Sequence, residues 1–168
     1  PGLGKTTLAH EILKRIVESK SFDEVVMPTV SQTPDVKNIQ GQLAEKLGLK
    51  LEEETIEGRA VMLQKRLKGT KSILVLLDDV WDYDELKKIG LPSVKYHIGC
   101  KILFTSRDRH LFSNEMCINK IFEIKVLEED ESWNLFEATM GGKIIDEACD
   151  LKPTASQVVR ECRGLPLA

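Results

Sequence analysis

The sequence has no hydrophobic run long enough to cross a membrane, few aromatic residues and no excess of positive charge. A membrane-spanning helix needs about 20 consecutive apolar residues, and none of the 168 positions begins such a run. The formal net charge is -3. This charge does not indicate a protein that binds nucleic acid or an anionic membrane mainly through electrostatic attraction. We therefore expect no nucleic-acid partner and no transmembrane segment.

Cysteine is too scattered to build a zinc site or a disulfide framework. No two of the four cysteines form a C-x-x-C pair, and the three histidines lie far from them in the sequence. The cysteines are Cys100, Cys117, Cys149 and Cys162. Reduced thiols in an intracellular compartment are the simplest interpretation, so we expect a cytoplasmic protein.

What the sequence does contain is an alternation of helical and strand-like patterns. Apolar residues at helical spacing predict helices that begin near Lys5, Val36, Ile56, Glu129 and Ala155. Short apolar runs predict strands at Val25–Val30, Ile73–Leu77, Lys101–Thr105 and Phe122–Val126. Such an alternation implies an α/β fold with a mostly parallel sheet. Only helices are predicted after residue 128, so we expect an α/β domain over 1–128 and the start of a helical domain over 129–168.

The first ten residues, PGLGKTTLAH, contain the end of a phosphate-binding pattern. The full pattern G-x-x-x-x-G-K-[ST] begins five places before Gly4, upstream of residue 1, and the strand that precedes such a loop would lie upstream too. Gly2 and Gly4 would let backbone N–H groups approach phosphate oxygens. Lys5 would reach the β- and γ-phosphates, and the Thr6 hydroxyl would ligate Mg²⁺. The alternative is a chance loop before a helix.

A second segment, ILVLLDDVW, places two carboxylates at the end of an apolar strand. A carboxylate at the carboxyl end of a buried parallel strand lies in the crevice where ligands bind. Asp78 could hold Mg²⁺, and Asp79 could act in catalysis by orienting a water at the γ-phosphate. The alternative is a turn or a helix cap after a core strand. The order of the two segments along the chain favours a purine nucleotide site.

A third segment, KILFTSRD, is another strand followed by polar residues. Its carboxyl end would point into the same crevice, where Arg107 could pair with the γ-phosphate as a charged fork. The alternative is a solvated surface arginine in a loop.

Together with GLPLA at Gly164–Ala168, these segments resemble the NB-ARC domain of plant intracellular disease-resistance proteins. The similar segments follow the family's order along essentially the whole chain: PGLGKTTLA, VSQ, LLDDVW, KILFTSRD, LEEDESWNLF and CRGLPLA. Trp81 after the two aspartates resembles the coiled-coil class of these receptors rather than the Toll-like class. One departure is Pro28, which in a strand suggests an edge position or a bulge.

The resemblance implies a P-loop NTPase fold: a three-layer parallel sheet, its first strand missing here, followed by the start of an α-helical subdomain. It also implies ADP or ATP as ligand, with Mg²⁺ bound by Thr6 and Asp78. Arg107 would sense the γ-phosphate, and Pro166 would pack beside the adenine. The loop that binds phosphates would consist of Gly2, Leu3, Gly4, Lys5, Thr6 and Thr7. A helix C-cap glycine followed by a proline stop also explains GLPL.

The function that the resemblance implies is that of a switch rather than an ordinary enzyme. ADP would hold the receptor off, and ATP would release it to oligomerise and trigger defence, with slow hydrolysis at most. Its intramolecular partners would be a coiled coil and leucine-rich repeats. Two alternatives stay open: an ordinary P-loop ATPase or kinase, and an interaction domain that no longer binds nucleotide.

Overall fold

The computed structural model describes residues 2–30, 35–69, 72–81, 83–91, 99–108, 120–141 and 151–167. The chain divides into two compact units. We call Thr6–Ile121 the sheet unit, and Pro1–Lys5 with Phe122–Ala168 the helical unit. The predicted domain boundary after residue 128 stays a prediction; the long segment of the helical unit begins at Phe122. No helix within the described ranges is both long and apolar enough to span a membrane.

The described residues form three strands and six helices. The strands are β1 (Glu24–Val26), β2 (Ile73–Leu77) and β3 (Cys100–Phe104). The helices are α1 (Lys5–Ser19), α2 (Val36–Lys46), α3 (Ile56–Leu67), α4 (Tyr83–Ile89), α5 (Glu129–Met140) and α6 (Lys152–Glu161). All three strands lie in the sheet unit, and α5 and α6 lie in the helical unit.

The sheet is parallel, with strand order β1-β2-β3, so β2 lies in the middle. All five side chains of β2 are buried, because helices or other chain segments cover both faces. The side chains of Ile73, Val75 and Leu77 belong to the core cluster that also contains apolar residues of α2, α3 and α4. The prediction of a strand at Ile73–Leu77 that is buried on both faces is confirmed. Packing of β2 in this core fixes the position of its carboxyl end.

Helices α2, α3 and α4 are joined by one buried amide. The side chain of Gln40 on α2 is fully buried. Its Nε2 donates to the carbonyl oxygens of Ile56 at the start of α3 and Lys88 near the end of α4, each at 2.9 Å. Since unpaired backbone groups are costly in a protein interior, this residue satisfies two carbonyls and holds three helices in one layer.

Two predicted strands differ from the structure by more than one residue. The predicted strand Val25–Val30 ends at Val26, because Pro28 has no N–H to donate to a ladder, and β1 is an edge strand of the described sheet. The predicted strand Phe122–Val126 is wrong, since the segment forms no strand and its Phe122 and Val126 side chains are 68% and 51% exposed. An apolar run does not specify the inter-strand hydrogen bonds that make a strand.

Helix α4 was not predicted. It has only seven residues, and only two of its described side chains, Leu86 and Ile89, are buried. Two apolar positions are too few to define a helical period, so the helix depends on the core against which it packs.

The helical unit is built from α5 and α6. A capping box starts α5: the Glu128 side chain accepts from the backbone at Glu131, whose side chain accepts from the Glu128 N–H at 2.9 Å. The rings of Trp133 and Phe136 on α5 lie with centroids 5.9 Å apart. After α6 the chain returns, and Gly164 O accepts from Leu127 N at 2.9 Å. This bond holds the GLPL segment against the residue that leads into α5.

Candidate functional site

The carboxyl ends of β2 and β3 bring four polar residues of the sheet unit together. Asp78 and Asp79 follow β2 directly, and Thr105 and Arg107 follow β3. Because neighbouring parallel strands end at the same edge of a sheet, these side chains share one edge, as the sequence predicted.

Thr105 connects the two strand ends. Its Oγ1 donates to Asp78 Oδ1 at 2.5 Å and accepts from the Asp79 N–H at 2.9 Å. Its own backbone N–H donates to Leu77 O at 3.0 Å, and its carbonyl accepts from Val80 N at 2.9 Å. Four hydrogen bonds to one residue fix the position of the Asp78 carboxylate and of the Asp79 backbone.

Replacing Thr105 by valine is expected to lower the free energy of unfolding by about 1–3 kcal/mol. Valine keeps the branched shape but leaves the Asp78 carboxylate and the Asp79 N–H without their hydroxyl partner. Urea unfolding measures the change. Thr29→Val at an exposed position is the matched control, with an expected change within about 0.5 kcal/mol. Equal midpoints for the two variants would contradict the bridging role of Thr105.

Asp79 and Arg107 are paired with each other. Arg107 Nε donates to Asp79 Oδ1 at 3.0 Å, and Arg107 Nη2 donates to Asp79 Oδ2 at 3.4 Å. Trp81 joins them, because its Nε1 donates to Asp79 Oδ2 at 3.2 Å and its ring centroid lies 5.3 Å from the guanidinium carbon. The backbone of Asp79 is left-handed, with φ of 57°, a conformation that aspartate tolerates better than most residues.

Of the predicted phosphate loop, Gly2 to Lys5 lie in the helical unit together with the GLPL segment, and Thr6 and Thr7 belong to the sheet unit. Gly2 and Gly4 have φ of 82° and 76°, and α1 begins directly after them at Lys5. A Cβ placed on Gly2 would stand 3.8 Å from Leu165 Cδ2, and one on Gly4 would stand 3.9 Å from Pro166 Cγ. The structure thus brings two predicted groups of site residues, from opposite ends of the sequence, side by side.

The other predicted loop residues lie around the start of α1. Leu3 and Lys5 are half-buried, and Thr6 and Thr7 are exposed in the first turn. Four orphan N–H groups and the positive end of the helix dipole characterise such a terminus. The assignments of these residues to phosphates, of Thr6 and Asp78 to Mg²⁺, and of Asp79 to catalysis stay predictions.

The sequence did not predict the contacts of two residues of this site, Thr105 and Trp81. Thr105 was predicted only as the last residue of a strand, and its place at the carboxyl end of β3 was the signal that could have identified it. For Trp81, the sequence indicated only a resemblance to the coiled-coil class of receptors. No local pattern shows that its ring lies beside Arg107, because that contact joins segments that are far apart in sequence.

Cys100 at the start of β3 is not a candidate nucleophile. Burial raises the pKa of its thiol to about 11, so the thiol stays protonated at neutral pH.

Comparison with known proteins adds the family. The NB-ARC domain family matches residues 1–144. Among curated relatives from Arabidopsis thaliana, Disease resistance protein RPS5 is 36% identical over 99% of this chain and 19% of its own length. Disease resistance protein SUMM2 is 34% identical over 99% of this chain and 19% of its own length. The chain therefore spans about a fifth of the length of these relatives.

The family match is consistent with the residues and the fold. It begins at the phosphate loop and includes both strand ends that carry Asp78 and Arg107. The relatives extend the similarity through the GLPL segment to nearly the whole chain. The chain belongs to the NB-ARC family, whose domains have the nucleotide-binding P-loop NTPase fold.

Proposed function

We propose that this chain is the adenine-nucleotide switch of a plant immune receptor, held off by ADP and turned on by ATP. The observation that carries the proposal is the adjacency of Gly4 and Pro166 in the helical unit. A phosphate loop needs glycines that admit the ligand, and the proline beside it supplies an apolar surface suited to an adenine ring. Two segments at opposite ends of the chain would then bind opposite ends of one nucleotide.

The phosphates would be bound by Gly2–Thr7 at the start of α1. The N–H groups and the positive end of the helix dipole favour an anion there, and Lys5 adds a full positive charge. Thr6 and Asp78 would hold Mg²⁺, since hydroxyl and carboxylate oxygens are the hard ligands that this cation prefers. The cation would neutralise phosphate charge.

Hydrolysis would be slow at most. The Asp79 carboxylate, which would orient an attacking water, accepts hydrogen bonds from Arg107 and Trp81. Both carboxylate oxygens of Asp79 already accept hydrogen bonds, so a water must compete with Arg107 and Trp81 for the same acceptors. This pairing supports a switch over an ordinary P-loop ATPase or kinase.

The rest of the proposal concerns the whole protein. The relatives are disease resistance proteins about five times as long as this chain, so we propose that a coiled coil and leucine-rich repeats accompany it in a cytoplasmic receptor. ATP binding would release these domains, permit oligomerisation and trigger defence with local cell death.

Identification of the bound nucleotide tests the proposal. The full-length protein is purified without added nucleotide, denatured, and the released compound is identified by chromatography. We expect ADP in about one-to-one ratio with protein, because a switch held off by ADP must retain it. An empty site would contradict the proposal, and fast multiple turnover of ATP would favour the enzyme instead.

A further inference from the structure

Arg107 already has a strong partner in this structure. Its guanidinium pairs with both carboxylate oxygens of Asp79 and lies beside the ring of Trp81. A guanidinium that donates to a carboxylate in this fork geometry is not available in the same position to a phosphate. Any ligand that recruits Arg107 must therefore compete with Asp79 and Trp81.

We propose that Asp79 and Trp81 form a latch on Arg107, and that this latch sets the preference of the site for ADP over ATP. The inference rests on the proposed function and deepens it. With ADP bound, Arg107 stays in the latch. With ATP bound, Arg107 leaves Asp79 and pairs with the γ-phosphate. Trp81 is a positioning residue for Arg107. Because the latch must open only when ATP binds, the free energy of the latch weakens the binding of ATP and not that of ADP.

Trp81 acts on the latch in two ways. Its ring attracts the guanidinium through the negative face of the π-system, and its indole N–H binds the oxygen of Asp79 that also accepts from Arg107 Nη2. The side chain thus stabilises the guanidinium and also orients the carboxylate. Removing it should weaken the latch without changing the net charge of the site.

The latch is weak enough to open. The side chains of Arg107 and Asp79 are 42% and 26% exposed, and water screens an ion pair at this exposure. A γ-phosphate offers more negative charge and more acceptor oxygens than one carboxylate. An exchange of partners is therefore favourable when ATP is bound.

The moving part is Arg107, because Asp79 is fixed from the backbone side. The Asp79 N–H donates to Thr105 Oγ1, and Thr105 also donates to Asp78. This bridge ties the residue to both strand ends. Arg107 lies beyond β3, and its long side chain can change partner while the carboxylate stays in place.

The test compares the affinities for AMP-PNP and ADP, with Mg²⁺, in the full-length protein. Trp81→Ala is expected to raise the ratio of AMP-PNP to ADP affinity about threefold, and Asp79→Asn about fivefold, as expected from the loss of a partly exposed ion pair. The affinity for ADP should change less than about twofold. Trp81 is 44% exposed, and Trp81→Phe, which removes only the N–H, serves if the alanine variant folds poorly.

The decisive control combines Trp81→Ala or Asp79→Asn with Arg107→Ala. If the latch acts through Arg107, Trp81→Ala and Asp79→Asn should not change the affinity ratio once Arg107 is absent. A shift that persists without Arg107 would mean that Asp79 merely repels the extra charge of the ATP analogue, and would overturn the proposal. Glu45→Gln, an exposed carboxylate on α2, controls for the loss of one negative charge.

Tryptophan fluorescence gives an independent readout. These 168 residues contain two tryptophans, so Trp133→Phe, together with replacement of any tryptophan elsewhere in the full-length protein, leaves Trp81 as the only tryptophan. Exchange of ADP for AMP-PNP should change its emission, because the guanidinium leaves the ring, and the change should be absent in Arg107→Ala. Identical emission in both nucleotide states would contradict the latch.

The two proposals fail differently. If the unsubstituted protein binds neither nucleotide, the proposed function is wrong and the latch with it. If both nucleotides bind and the affinity ratio is the same in every variant, the proposed function stands and the latch is wrong.

Discussion

Replacing Lys5 by alanine is expected to reduce the affinity for ADP about a hundredfold. Lys5 is the first residue of α1 and follows two glycines with positive φ, the position from which the lysine of a phosphate loop reaches its ligand. A charge-assisted hydrogen bond to a phosphate contributes about 2–3 kcal/mol, and loss of that amount corresponds to a factor of roughly a hundred. Titration calorimetry with ADP and Mg²⁺ measures the change.

Lys14→Ala is the matched control for this prediction. Lys14 is an exposed lysine on the same helix, so its loss changes the net charge by the same amount but removes no residue of the loop. We expect less than a twofold change in ADP affinity. Retention of ADP by the Lys5 variant at the level of the Lys14 variant would show that the phosphate site has been assigned to the wrong residues.

Replacing Gly164 by alanine is expected to lower the free energy of unfolding of the helical unit by about 3 kcal/mol. Two effects add. Gly164 has φ of 73°, a left-handed conformation that costs other residues about 1–2 kcal/mol. In addition, a Cβ there would overlap the carbonyl oxygen of Leu127 and stand 3.0 Å from its nitrogen. Since both are backbone atoms, the chain itself must move, at about 1–3 kcal/mol.

Gly141→Ala separates the two effects. Gly141 ends α5 in the same unit with φ of 84°, but a Cβ there would meet nothing within 4 Å. Its substitution should cost about 1 kcal/mol. Urea unfolding followed by Trp133 fluorescence reports on both variants. Equal costs would mean that the approach of Leu127 to Gly164 contributes nothing to stability.

Much of the fold was predictable because its signals are local. Helices α1, α2, α3 and α5 begin within a residue of the predicted positions, and β2 has the predicted bounds. Each has either a clear apolar period or a continuous apolar run, and Asp35 and Thr55 also cap their helices. The predictions that failed concern segments without such local signals. Whether Phe122–Val126 forms a strand, and whether α4 exists, depends on neighbours that a short segment does not specify.

The candidate site was predictable in its residues but not in its pairing. Gly-Lys-Thr, the two aspartates and Arg107 could be selected because each follows or precedes an element of the right kind. That Arg107 pairs with Asp79, and that Trp81 lies beside it, could not be predicted. The three side chains come from two strand ends, and their rotamers depend on each other.

By itself, the sequence determined the family, the parallel α/β class and the chemical types of the site residues, because motifs and hydrophobic periods depend on near neighbours. Only the tertiary structure decided that Pro166 lies beside Gly4, that Thr105 joins the two strand ends, and that Gly164 must lack a side chain. Each of these contacts joins residues distant along the chain. Their distances depend on how whole elements pack, and packing is a property of the complete core rather than of any segment.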